Sequence, residues 1–167
     1  MTTSAPYIPN DKFETIKTSL ATRVHPRRWQ AIHIFAHDRA ATEAELEPRI
    51  VAREYAEFLQ LQTEQLSYFC QVRRSVAEDV CMAVAEFDVV MSSRQMPRDV
   101  AAALTTAWLG QFDEETVFLT NGDVSGSSAR DQCLDQLNRS LFFTDREAGV
   151  LAVSPTRCGI FWSAENS

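Results

Sequence analysis

The chain has 167 residues, 45% of them hydrophobic, with 23 acidic against 16 basic side chains for a formal charge of −7. That length suits one domain with a sizeable core. The acidic balance argues against non-specific nucleic-acid binding and leaves room for a protein partner with a basic surface. No window approaches the ~18 consecutive apolar residues of a membrane span. The opening MTTSAPYIPN lacks the basic and apolar regions of a secretory signal, so a cytoplasmic location is expected.

Residues 1–10 read as a flexible N-terminus, and 11–167 as a single α+β domain. Its helical part covers 11–112 and its sheet part 116–163. Phe13, Ile16 and Leu20 form one apolar stripe at helical spacing. After His25-Pro26, Trp29, Ile32, Phe35 and Ala36 form a second. Thr42 and Glu45 match a capping box, and Pro48 suits an early turn. Val51, Tyr55, Phe58, Leu66 and Phe69 then extend one long helical stripe, with Ile50, Leu61 and Val72 on a second line. A helix apolar over so wide an arc is expected at the centre of the fold or at a homodimer seam. The pattern pauses at Arg73-Arg74-Ser75, where a bend or turn is expected, and resumes through Val76, Val80, Val84 and Phe87. Pro97 opens a further helix carrying Val100, Leu104, Ala107 and Trp108.

The period changes after Thr116. TVFLT (116–120), 141–144, 150–153 and 160–163 read as strands, with a short helix after Ser128. The expected fold is therefore α+β: an N-terminal layer of about five helices packed on a small C-terminal sheet of β-α-β-β-β order.

Three stretches carry candidate chemistry. LAVSPTRCGI (151–160) resembles the acetyl-CoA loop of the N-acetyltransferase superfamily at Val153, Pro155, Arg157 and Gly159, where backbone amides would face a pyrophosphate. It lacks a second glycine, and Phe161-Trp162 suit a strand, so 154–159 is expected to be a hairpin turn and no cofactor is expected. TNGDVSGSSARD (120–131) is a Gly/Ser loop between a strand and a helix, without the lysine or spacing of a P-loop. His33 and His37 lie four apart, a spacing that on a helix can present two ligands to one metal ion. No Cys-x-x-Cys pair occurs among the four cysteines, which read as buried thiols.

No complete catalytic motif is present. The leading expectation is a non-enzymatic acidic protein-binding module, of the inhibitor, immunity, anti-defence or adaptor kind, acting by occupying a partner's surface. Glu43, Glu47, Glu54, Glu57 and Glu64 are its expected contact residues. The alternative is a small enzyme or metal protein built on His33, His37 and the 121–128 loop.

Overall fold

The computed structural model describes residues 7–9, 29–39, 47–87, 94–124, 137–142 and 144–166. In chain order these form β1 (Tyr7–Pro9), β2 (Trp29–Arg39), α1 (Pro48–Phe58), a 3-10 turn (Leu66–Tyr68) and β3 (Cys70–Val72). Then come α2 (Arg74–Glu86), α3 (Arg98–Leu109), β4 (Val117–Thr120), β5 (Arg146–Val153) and β6 (Arg157–Asn166).

This corrects the expected five-helix layer over a small β-α-β-β-β sheet. Among the described residues there are three α-helices, and the sheet is antiparallel throughout with the order β1-β2-β6-β5-β4-β3. Five strands make its body, and the three residues of β1 extend the edge at β2. The expected helices at 11–21 and after Ser128 lie outside the described residues.

The largest correction is Trp29–Arg39, a strand instead of a helix. β2 pairs along its length with β6, Trp29 opposite Asn166 through Asp38 opposite Arg157. Both of its faces are covered. Ile34 stands beside Phe161, whose ring packs edge-on to Trp108 of α3. On the opposite face His37 meets Tyr55 of α1. A strand buried on both faces shows no alternation of apolar and polar residues, so the period-2 signal is absent. Ile32, Ile34 and Phe35 are nevertheless β-formers.

The long helix expected through Phe69 stops at Phe58. Gln60 takes the left-handed φ of 59°, its amide bonds Glu57 O at 3.0 Å, and the Leu61 amide bonds Ala56 O at 2.9 Å. These two bonds are a Schellman ending, usually marked by glycine. Glutamine in that place leaves no sequence mark. The chain then turns through Leu66–Tyr68 into β3, the far edge of the sheet. By contrast, the expected break at Arg74 and the helix after Pro97 are present as the starts of α2 and α3.

Two layers thus cover the sheet. On one face Trp108 lies against Phe112, Phe118 and Phe161, with Gly159 beneath. A Cβ on Gly159 would sit 2.5 Å from Phe112 Cζ, so only glycine lets the layer approach that closely. Arg74 at the start of α2 donates to Leu109 O, Phe112 O and Asp113 O, tying α2 to the end of α3. Gln95 closes the other end by donating to Val84 O, Ala85 O and Phe87 O, the carbonyls a helix end leaves without partners. On the other face α1, the 3-10 turn and residues 137–142 pack over Trp162, whose ring stacks on Phe69. None of the described helices is long and apolar enough to cross a membrane.

Candidate partner-binding face

Two buried polar residues organise the α1 side of the sheet. Glu147, at the start of β5, accepts the amides of Leu141 (2.8 Å), Phe142 (2.9 Å) and Thr144 (3.2 Å), Trp162 Nε1 (3.0 Å) and the Ser140 hydroxyl. A buried carboxylate is tolerated only when so satisfied, and here it fixes Ser140, Leu141, Phe142 and Thr144 against the sheet. Asn121 follows β4. Its Nδ2 donates to Arg139 O (2.8 Å) and Glu147 O (2.9 Å), and its Oδ1 accepts from the Gly149 amide. Its backbone oxygen accepts from the amides of Asn138 and Arg139.

Above these anchors the segment 62–69 is tied to 139–141. The Gln62 amide bonds Leu141 O, and the Ser140 amide bonds Gln65 Oε1 at 2.8 Å. Arg49, in the first turn of α1, reaches across to Leu66 O (3.1 Å) and Phe69 O (2.8 Å). The result is a firmly held outer surface on which Ile50 is 56% and Tyr68 59% exposed. The Arg139 guanidinium lies 4.4 Å over the Tyr68 ring. An aromatic, an arginine and an aliphatic side chain fixed at the surface match the composition of interface hot spots.

The sequence-predicted residues are placed as follows. Glu47 caps α1 through the Arg49 amide. Glu54 is bound by Arg39, Nε to Oε1 at 3.2 Å. Glu57 and Glu64 are exposed on the same layer, and Glu43 lies outside the described residues. The described glutamates lie in α1, at its N-cap, or in the segment that follows it. Arg49 and Arg53 lie among them in α1, so that stretch is of mixed charge.

His33 and His37 fare differently. Four residues along a strand span about 13 Å, against the ~2 Å reach of a metal–nitrogen bond. The helical turn that would have brought them together is absent. His33 is half-buried, stacked on Phe142 at 4.6 Å. His37 is buried, its Nδ1 2.7 Å from the Tyr55 hydroxyl and its ring edge-on to Phe58. No group of three potential ligands occurs among the described residues. Of the 121–128 loop, Asn121 is spent on holding β5 and residue 139, and 125–128 lie outside the described residues.

Ser154–Arg157 is a hairpin turn closed by the Ser154 amide on Arg157 O (2.9 Å). The Arg157 side chain is bound to Asp38 (2.6 Å) and Gln111 O (2.6 Å), not held out toward an anion. Of the cysteines, Cys81 is buried in α2, and burial first, with Glu78 nearby second, pushes its thiol pKa well up. Tyr68 and Arg139 were missed by sequence reasoning. Tyr68 lies inside an apolar run whose spacing predicts helix, and an isolated arginine beside a serine gives no local signal. Comparison with known proteins finds no matching family model, no similar curated protein and no similar solved structure.

Proposed function

We propose that this chain is a non-enzymatic protein-binding module that works by covering a partner's surface, as inhibitors, immunity, anti-defence and adaptor proteins do. The observation that supports the reading is the exposure of Tyr68 and Ile50 in the layer that also carries Glu47, Glu57 and Glu64. The surrounding side chains able to do chemistry are engaged elsewhere: Glu147 in five hydrogen bonds, His37 with Tyr55, Arg39 with Glu54. Solvated aromatic and aliphatic side chains with little internal work favour a role in contact. The charge of −7 favours a partner with a basic surface, drawn in at long range and with salt sensitivity. The apolar stripe of α1, Val51, Ala52, Tyr55 and Ala56, is buried within the chain, so a second copy would have to use other residues.

Photo-crosslinking tests the reading. A photoactivatable residue is placed at Glu57 or Tyr68, and at Val100 of α3 on the opposite layer as control. The full chain is then irradiated in lysate of its source. The expected result is one crosslinked protein from positions 57 and 68, absent from 100, with a yield that falls as salt rises. The same set of proteins from both layers, or none from 57 and 68, overturns it. A crosslink to a second copy would convert the reading to self-association.

A further inference from the structure

β3 is the last strand of the sheet and pairs only with β4 among the described residues. The direction of its main chain is fixed at two points. The Thr120 hydroxyl of β4 donates to Cys70 O at 3.4 Å, so the Cys70 carbonyl faces β4. Phe69 O instead accepts from the Arg49 guanidinium at 2.8 Å, as an oxygen turned off the ladder can. Main-chain groups alternate sides along a strand, so the N–H and C=O of Gln71 both point out from the sheet. Neither has a partner among the described residues, and Gln71 is exposed. An outward N–H and C=O on one residue is half of an antiparallel hydrogen-bonded pair. The flanking side chains give this edge a pattern. Cys70 and Val72, opposite Thr120 and Phe118, are half-buried on the α2–α3 face. Gln71 lies on the other face. Arg73, still extended at φ −70° and ψ 159°, follows on that same side. Its side chain is exposed and forms no ion pair among the described residues.

We propose that the β3 edge takes up one extended segment of a partner protein as an added antiparallel strand, one residue of that segment exchanging both main-chain bonds with Gln71. The inference rests on the protein-binding reading and deepens it by naming the form of the partner. Alternation of side chains then fixes the chemistry of the segment. The residues before and after the paired one lie beside Val72 and Cys70 and are apolar. The residue two before it faces Arg73 across the strands and is acidic. Read from its N-terminus, the segment is acid, apolar, any residue, apolar. The acid is a local contact, while the charge of −7 acts on the partner as a whole at long range. With Arg49 on Phe69 O, the open main chain is short. So short an edge does not pair indiscriminately, and the flanking side chains supply the selectivity.

The probe is a displayed library of random peptides selected on the full chain. Selected peptides are expected to share the acid-apolar-x-apolar pattern and to slow hydrogen exchange at the Gln71 amide at least roughly tenfold. N-methylation of the peptide at residue x removes its donor and should weaken binding about tenfold. Gln71→Pro removes the outward donor of the edge, spares the β4 ladder as edge strands permit, and should weaken binding to a similar degree. Gln71→Ala should leave it within about twofold, and the peptide-side change keeps the test decisive if the proline variant unfolds. Arg73→Glu should cost about two- to fivefold and be rescued by lysine in place of the peptide's acid. Peptides that leave Gln71 exchanging freely, binding indifferent to N-methylation, or no peptide of this pattern overturns the proposal. Slow exchange at Gln71 that tracks protein concentration without peptide gives the edge to a second copy, and overturns it too. A single partner crosslinked from positions 57 and 68 under any of those results would leave the broader reading standing, so the two fail separately.

Discussion

The two layers covering the sheet are held by different physics. The α2–α3 layer is an apolar contact: Trp108 amid Phe112, Phe118 and Phe161, with alanines along α2 allowing close approach. The α1 layer is set by buried polar groups, Glu147, Asn121 and the His37–Tyr55 pair, with Trp162 donating into the network. Apolar area is non-directional and tolerates small shifts, while a satisfied polar network specifies one arrangement and is costly when partly broken. The layer that carries Tyr68 and Arg139 is the one built the second way.

The comparison is broken most forcefully from the apolar side. Trp108→Ala removes the centre of its cluster and the bond to Phe35 O, and should cost about 3–5 kcal/mol in urea unfolding. Its effect should be global, with hydrogen exchange rising throughout. Glu147→Gln is the matching cut on the other layer. The amide cannot accept at both oxygen positions, so donors such as the Ser140 hydroxyl and the Thr144 amide lose their acceptor. About 2–4 kcal/mol should be lost. Exchange should rise first at Leu141, Phe142 and Thr144, and a uniform rise instead would show that the network is not local.

Smaller changes sharpen the contrast. Tyr55→Phe removes one hydroxyl from His37 and should cost about 1–2 kcal/mol by the same measurement, with no change in the exposed face. Tyr68→Ala should leave stability within about 0.5 kcal/mol, as expected of a side chain with so much of its surface in water. A large loss there would mean that Tyr68 is structural, and the contact role would fall. Cys81 gives a pH test. Its folded pKa is raised, so native and unfolded thiols are both protonated at neutral pH and contribute no pH dependence there. As pH rises through the ordinary thiol range the unfolded thiol ionises and the buried one does not, so stability should decline. Alkylation at mildly alkaline pH should modify Cys70, which is half-exposed, well before Cys81. Equal rates would show that α2 opens locally.

Legibility in the sequence followed local chemistry. Pro97 and the Arg73–Ser75 pause marked the starts of α3 and α2 because proline and a break in periodicity act within a few residues. The strands near 117–120, 150–153 and 160–163 were visible through their β-branched and aromatic content, though β5 and β6 run longer. The stretch 141–144, equally rich in aromatics, is not a strand at Leu141, Phe142 or Thr144, because Glu147 captures its amides. Of the candidate site, the glutamates of α1 were named and fall on one layer. Tyr68 and Arg139 were not, since 71 positions separate them and bonds made by Asn121, Gln62, Gln65 and Arg49 bring their segments together.

By itself, then, the sequence determined composition, charge and the local stops and starts that single residues dictate. Tertiary structure alone decided whether Trp29–Arg39 became helix or strand, because its apolar residues serve either shape and only burial on both faces selects one. It also decided which side chains remain in water. That depends on what distant segments cover, and coverage is a property of packing that no local pattern encodes.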